Sequence, residues 1–170
     1  MIDRIIGVFR LDTKTFNEIE SDPNATMQAA IIVIIAALLS GFGGGLRAIF
    51  TGGHFFGAFL GTLLWAFIGW VLWSAVSYFV GTSLFGGKAT LEKMLRVIGY
   101  AYAPQFLGVI PCVGPVIGSI WSLIAGFFAV REGLELDSTK ALLTILIGFA
   151  VYAVGFILVS IFFASLKILF

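Results

Sequence analysis

Long apolar runs separated by short charged segments constrain this chain more than any other feature. Five stretches, Thr26–Gly45, Phe55–Leu84, Leu95–Ile110, Val113–Val130 and Ala141–Leu166, hold one cation, Arg96, and no carboxylate. A helix needs about 20 apolar residues to cross a hydrocarbon core of roughly 30 Å. The chain therefore reads as an all-α, polytopic transmembrane helical bundle of five spans, with a Pro-kinked third span and a short amphipathic helix in front. Residues 1–22 form the cytoplasmic amphipathic segment and residues 23–170 the five-span membrane domain.

The segments between the runs alternate in charge. Arg4, Arg10 and Lys14 precede the first run, Lys88, Lys93 and Arg96 follow the second, and Arg131 and Lys140 follow the fourth. These are eight of the ten Lys and Arg residues; the alternate segments hold only Arg47 and Lys167. Short basic loops stay in the cytoplasm, which puts the N-terminus inside and the C-terminus outside. All nine carboxylates fall on the inner set as well. No basic stretch is long enough to follow a phosphate backbone, so nucleic acid is not an expected partner. Asp3, Arg4, Arg10, Asp12 and Lys14 interrupt the N-terminus, so no cleavable signal peptide is expected. Insertion then relies on the first span, and the expected location is a prokaryotic cell membrane.

Ile2, Ile5, Ile6 and Phe9 recur at helical spacing, with Asp3, Arg4 and Arg10 off that stripe. Such a helix lies flat in the headgroup plane or packs on the protein's own inner surface. Asp12 or Thr13 can cap a second short helix carrying Phe16 and Ile19. Asn24 or Thr26 can cap the first span.

Small residues mark the expected packing faces. Gly57, Gly61, Gly69, Ser77 and Gly81 share an i+4 ladder in the second run, and Gly114, Gly118, Ser122 and Gly126 share one in the fourth. Such ladders let backbones approach closely in lipid, and they are the surfaces through which a protein partner or a second copy would dock. The dense Gly41–Gly45 stretch either frays the first span or admits a neighbouring helix. The second run is about 45 Å long as a helix, so it must tilt or protrude. The third run is the short one, about 24 Å. Pro104 interrupts it, and a kink near Ala103 is expected. With the fourth run it makes either a full or a partial hairpin around Pro111–Pro115.

No paired carboxylates, His/Cys cluster, Ser-His-Asp set or phosphate-binding glycine loop can be assembled. No enzyme activity, cofactor or metal is called for. His54 and Cys112 are each single, and both read as interfacial or buried packing groups. The lipid bilayer is the assured partner. The candidate binding residues are the polar ones at depth, Tyr100, Tyr102 and Gln105 around Pro104, and the edge charges Arg96, Arg131 and Glu132. Tyr78 and Tyr152 also lie within apolar runs. Buried phenols and amides need partners, and Arg96, Arg131, Glu132 and Glu135 can pair across the hairpin ends. Pro104 leaves the Tyr100 carbonyl without its helical donor, so this point should face protein or a cavity.

The segment Leu95-Arg96-Val97-Ile98-Gly99-Tyr100-Ala101-Tyr102-Ala103-Pro104 resembles the Yip family of membrane proteins, named for interaction with Ypt/Rab GTPases. Phe16-Asn17-Glu18-Ile19, Gly86-Gly87-Lys88-Ala89-Thr90 and Arg131-Glu132 extend the resemblance over nearly the whole chain. It implies a cytoplasmic N-terminal region, five hydrophobic segments and, in eukaryotic members, vesicle trafficking with prenylated Rab proteins. The long N-terminal region of those members is missing here, so Rab binding does not carry over. Two functions stand: a non-enzymatic scaffold that shapes membranes or binds partners, or a small oligomeric channel or transporter for an uncharged or small solute. A sealed interior favours the first, and a polar cavity lined by Tyr100, Tyr102 and Gln105 the second.

Overall fold

The computed structural model describes residues 1–151 and 154. The described residues form helices joined by short connections, with no strand. Helices α1 (Ile2–Phe9) and α2 (Thr13–Ser21) precede α3 (Ala25–Phe50) and α4 (Phe55–Phe85). Next come α5 (Leu91–Ala101), a 3₁₀ segment (Ala103–Val109) and α6 (Val113–Gly133). A further apolar helix, α7, is described over Ser138–Val151. Helices α3, α4 and α6 are each long and apolar enough to cross a membrane. Tyr152, Lys167 and most of the last apolar run beyond Val151 lie outside the described residues.

Local chemistry sets the ends. The Asp12 carboxylate accepts from the Lys14 N–H at 3.2 Å and starts α2. Thr90 accepts from the Lys93 N–H at 3.3 Å and starts α5. Gly86, at φ 71°, stops α4 in the left-handed conformation that glycine adopts without a Cβ penalty. Helix α3 does not fray at its glycines but runs on through Arg47 to Phe50.

The third segment does not bend as one α-helix at Pro104. Its α-helix ends at Ala101, and the chain goes on as a 3₁₀ helix with Pro104 in its first turn. A proline costs nothing there, because the first N–H groups of a helix lack intrahelical acceptors. The tighter helix also rises about 2.0 Å per residue rather than 1.5 Å, so few residues reach far.

Glycines set its neighbours. A Cβ on Gly43 of α3 would overlap the Gly108 carbonyl oxygen, and one on Gly114 of α6 would overlap that of Leu107. A Cβ on Gly118 would stand 2.8 Å from the Pro104 carbonyl oxygen. At the other end Arg96 meets Thr26 of α3, and Val97 meets Gly133 of α6. From Thr26 to Gly43 the segment therefore follows α3 for about 25 Å.

The α6 ladder is buried at Gly114, Gly118, Ser122 and Gly126, the last against Trp73 of α4. The α4 ladder divides. Gly81 packs on Leu134 and Ser77 is buried, whereas Gly57 and Gly61 are exposed: a Cβ on Gly57 would come no nearer than 4.0 Å to the His54 side chain, and one on Gly61 would meet open space. Helices α1 and α2 join the same core as the bundle through Val8, Phe16 and Ile19. The α1 stripe splits: Ile5 and Phe9 pack partly on that core, while Ile2 and Ile6 remain exposed. The Trp121 indole N–H donates to the Phe9 carbonyl at 3.2 Å, tying the end of α1 to the middle of α6.

Candidate functional site

Spacing on the first turns of α5 brings Glu92, Lys93 and Arg96 toward α2 and the start of α3. Arg96 is 6% exposed and fully engaged. Its Nε donates to Thr26 Oγ1 at 2.8 Å, Nη1 to the Glu20 carbonyl at 3.0 Å and Nη2 to Glu92 Oε1 at 2.6 Å. Lys93 pairs with Glu20 at 2.5 Å. On α6, Arg131 pairs with Glu132 at 2.7 Å, reaches Thr13 Oγ1 at 3.3 Å and lies 4.9 Å over the Phe128 ring. Arg96, Arg131, Glu132 and Glu135 thus form no pair across the hairpin ends among the described residues. Each arginine takes an acid on its own helix and then reaches α2, which packs against both α5 and α6.

One turn deeper, Tyr100 is 0% exposed, and its hydroxyl donates to Gln28 Oε1 of α3. Arg4 of α1 stands near that phenol and pairs with Asp22 at 2.7 Å. Gly99 makes this packing possible: a Cβ there would stand 2.7 Å from Ala29 Cβ and 3.0 Å from Trp70 Nε1. The Trp70 indole in turn donates to the Leu95 carbonyl at 3.0 Å.

The Arg4 guanidinium holds the Asp22 carboxyl below its ordinary value of 3.8, helped by the Asn24 backbone N–H. A depressed carboxylate stabilises the folded state above its ordinary pKa and loses that contribution as pH falls through the lower folded value. Acidification below about pH 4 should therefore loosen α1 before the apolar core. Limited proteolysis within residues 1–22 should rise on going from pH 5 to pH 3, and Asp22→Asn should flatten that rise. An unchanged pH response in Asp22→Asn would show that the ion pair does not hold α1.

Around Pro104 the remaining candidates separate. The Tyr102 ring packs at 6.1 Å from that of Trp73, and its hydroxyl lies 3.1 Å from where a Gly69 Cβ would stand. The Gln105 carbonyl accepts from the Ser40 hydroxyl at 2.9 Å. Gln105 lines a cavity of about 240 Å³ with Arg47, Thr62 and Cys112. At the opposite end of α3 an open groove of about 590 Å³ lies over Thr26, Gln28 and Trp70. The candidates therefore occupy a charged edge, a buried phenol and a separate cavity, not one pocket. Gln28 is the polar partner that sequence reasoning missed. A lone amide inside an apolar run was the available signal, since a buried amide needs a partner.

Comparison with protein families matches residues 6–161 to the Yip1 domain. The chain belongs to the Yip1 domain family. No curated protein and no solved structure matches it. In this Yip1 domain protein the Gly99-Tyr100…Pro104 pattern has a direct physical reading. Gly99 admits Ala29 and Trp70, Tyr100 fastens α5 to α3 through Gln28, and Pro104 begins the 3₁₀ turn that lies between Gly43 and Gly118.

Proposed function

We propose that this Yip1 domain protein is a non-enzymatic membrane scaffold, related to membrane trafficking or organisation, that shapes the bilayer or holds a partner through its N-terminal helices. The observation that carries the reading is the closed centre. Met94, Val97, Ile98 and Tyr100 are all fully buried, and the Tyr100 hydroxyl is spent on Gln28. A conduit would need that phenol open to water. The exposed Ile2 and Ile6 on α1, beside charged Asp3 and Arg10, suit an inner leaflet or an amphipathic partner.

In this reading the chain crosses a prokaryotic cell membrane five times, with the N-terminus cytoplasmic and the C-terminus outside. The third segment's path along α3 supports a full crossing, and the charge bias supports the orientation. Reporter fusions at both termini test this; two termini on one side would end it. Function is tested with the full chain in liposomes of mixed anionic lipids. The expected result is narrowed or tubular vesicles by electron microscopy, with release of a trapped small solute no faster than from empty vesicles. Fast release that Gln105→Leu abolishes would replace the scaffold with a channel.

A further inference from the structure

The end of the bundle away from α1 and α2 carries one described cation, Arg47, in the last turn of α3. Every Asp and Glu in the chain sits at the opposite end, on α1, α2 or the residues that flank them, at the start of α5, in the last turn of α6 or in the α6–α7 connection. Arg47 makes no ion pair or side-chain hydrogen bond among the described residues. A cation in the last turn of a helix is favoured by the partial negative charge of that end, which accounts for its position but not for the cavity beside it.

That cavity, about 240 Å³, is walled by α3, α4, the 3₁₀ segment and the Pro111–Pro115 turn. Gly43 and Gly44 keep its floor free of side chains. The hydroxyls of Ser40 and Thr62 are already donated to the carbonyls of Gln105 and Ala58. The donors still free are the Arg47 guanidinium and the Gln105 amide, neither having a side-chain partner among the described residues. Cys112 adds an exposed thiol at the rim. A lining with spare donors, a fixed positive charge and no carboxylate selects an oxyanion. Arg offers a planar fork of donors that matches a phosphate's paired oxygens.

We propose that this cavity binds a phosphate group at the membrane surface opposite α1 and α2, carried either by a phospholipid headgroup or by free inorganic phosphate. The Arg47 fork grips two phosphate oxygens, and Gln105 donates to a third from below. The site is independent of the scaffold reading, since it lies on the far side of the closed centre.

Cys112 is the chain's single cysteine and reports on occupancy directly. The full chain in detergent is exposed to a maleimide, with no addition, with phosphatidylglycerol or with inorganic phosphate. Protection by phosphatidylglycerol alone, slowing labelling about tenfold, assigns the site to a headgroup. Protection by inorganic phosphate as well assigns it to the free ion. Arg47→Gln should abolish protection and Arg47→Lys should retain part of it, both at unchanged helical content by circular dichroism. Phosphorus retained per protein after delipidation gives a second reading, lower in Arg47→Gln if the ligand is a lipid. Absence of protection by either probe, or protection undiminished in Arg47→Gln, overturns the proposal.

Discussion

Alanine at Gly43 and alanine at Gly44 should have opposite effects, although the residues are neighbours on one helix. A Gly43 methyl overlaps the Gly108 carbonyl oxygen, and that atom belongs to a backbone held on its other face by Gly114 and Gly118. Neither side can move by a rotamer change, so α3 and the 3₁₀ segment must separate. Overpacking of this kind costs about 1–3 kcal/mol or more. A Gly44 methyl meets only Thr62 Oγ1, at 3.3 Å. There the change from glycine mainly improves helix propensity, by up to about 1 kcal/mol. The expected gap between the two variants is about 3 kcal/mol, read from thermal or detergent-denaturation midpoints. Equal midpoints would mean that α3 and the third segment are not in backbone contact.

Arg96→Ala should be comparably damaging. The guanidinium joins three elements: Thr26 of α3, the Glu20 carbonyl in the last turn of α2, and Glu92 of its own helix. Removing it strands the Glu20 carbonyl and leaves Thr26 Oγ1 without its donor. Each buried acceptor left unsatisfied costs about 1–3 kcal/mol, whereas Glu92 is largely exposed and is left in water. Arg96→Lys should fall between, because an ammonium keeps the charge but cannot hold three acceptors in one plane. Loss should appear first as proteolytic access to residues 1–22, since Lys93–Glu20 is the neighbouring tie. Wild-type stability in Arg96→Ala would show that the network is ornamental.

The features that sequence exposed were those with a strong one-dimensional signature. The apolar runs located α3, α4 and α6 because lipid leaves a helix no other way to satisfy its backbone. The α6 ladder reads as a packing face because four small residues at one spacing have few other uses. Caps at Asp12 and Thr90 were legible in the same local sense for Asp12, and emerged from the structure for Thr90. What stayed hidden was decided between distant parts of the chain. Pro104 removes a donor whether the helix kinks or tightens; the choice of 3₁₀ geometry is made by Gly43, Gly114 and Gly118, which no local pattern connects to it. The candidate residues themselves scattered for a similar reason. Tyr100 finds Gln28 rather than another tyrosine, and Gln105 lines a different cavity, because residues five apart do not share a helix face. The open Gly57 and Gly61 show that an i+4 ladder gives spacing but not the identity of the helix it faces.

The glycine-lined bed of the 3₁₀ segment has a consequence for how the protein is made. Near the carbonyls of Pro104, Leu107 and Gly108 stand the Gly118, Gly114 and Gly43 backbones. Contacts of the Cα–H to carbonyl type are available only from backbones that come this close. Before α6 has been synthesised, two of those three neighbours do not exist. The third segment leaving the ribosome is thus short, breaks its own helical ladder and has no independent claim on lipid. It should dwell at the insertion machinery until α6 emerges, and enter the bilayer together with α6 as a pair. On the five-span reading, the unit of membrane insertion is the hairpin, not the helix.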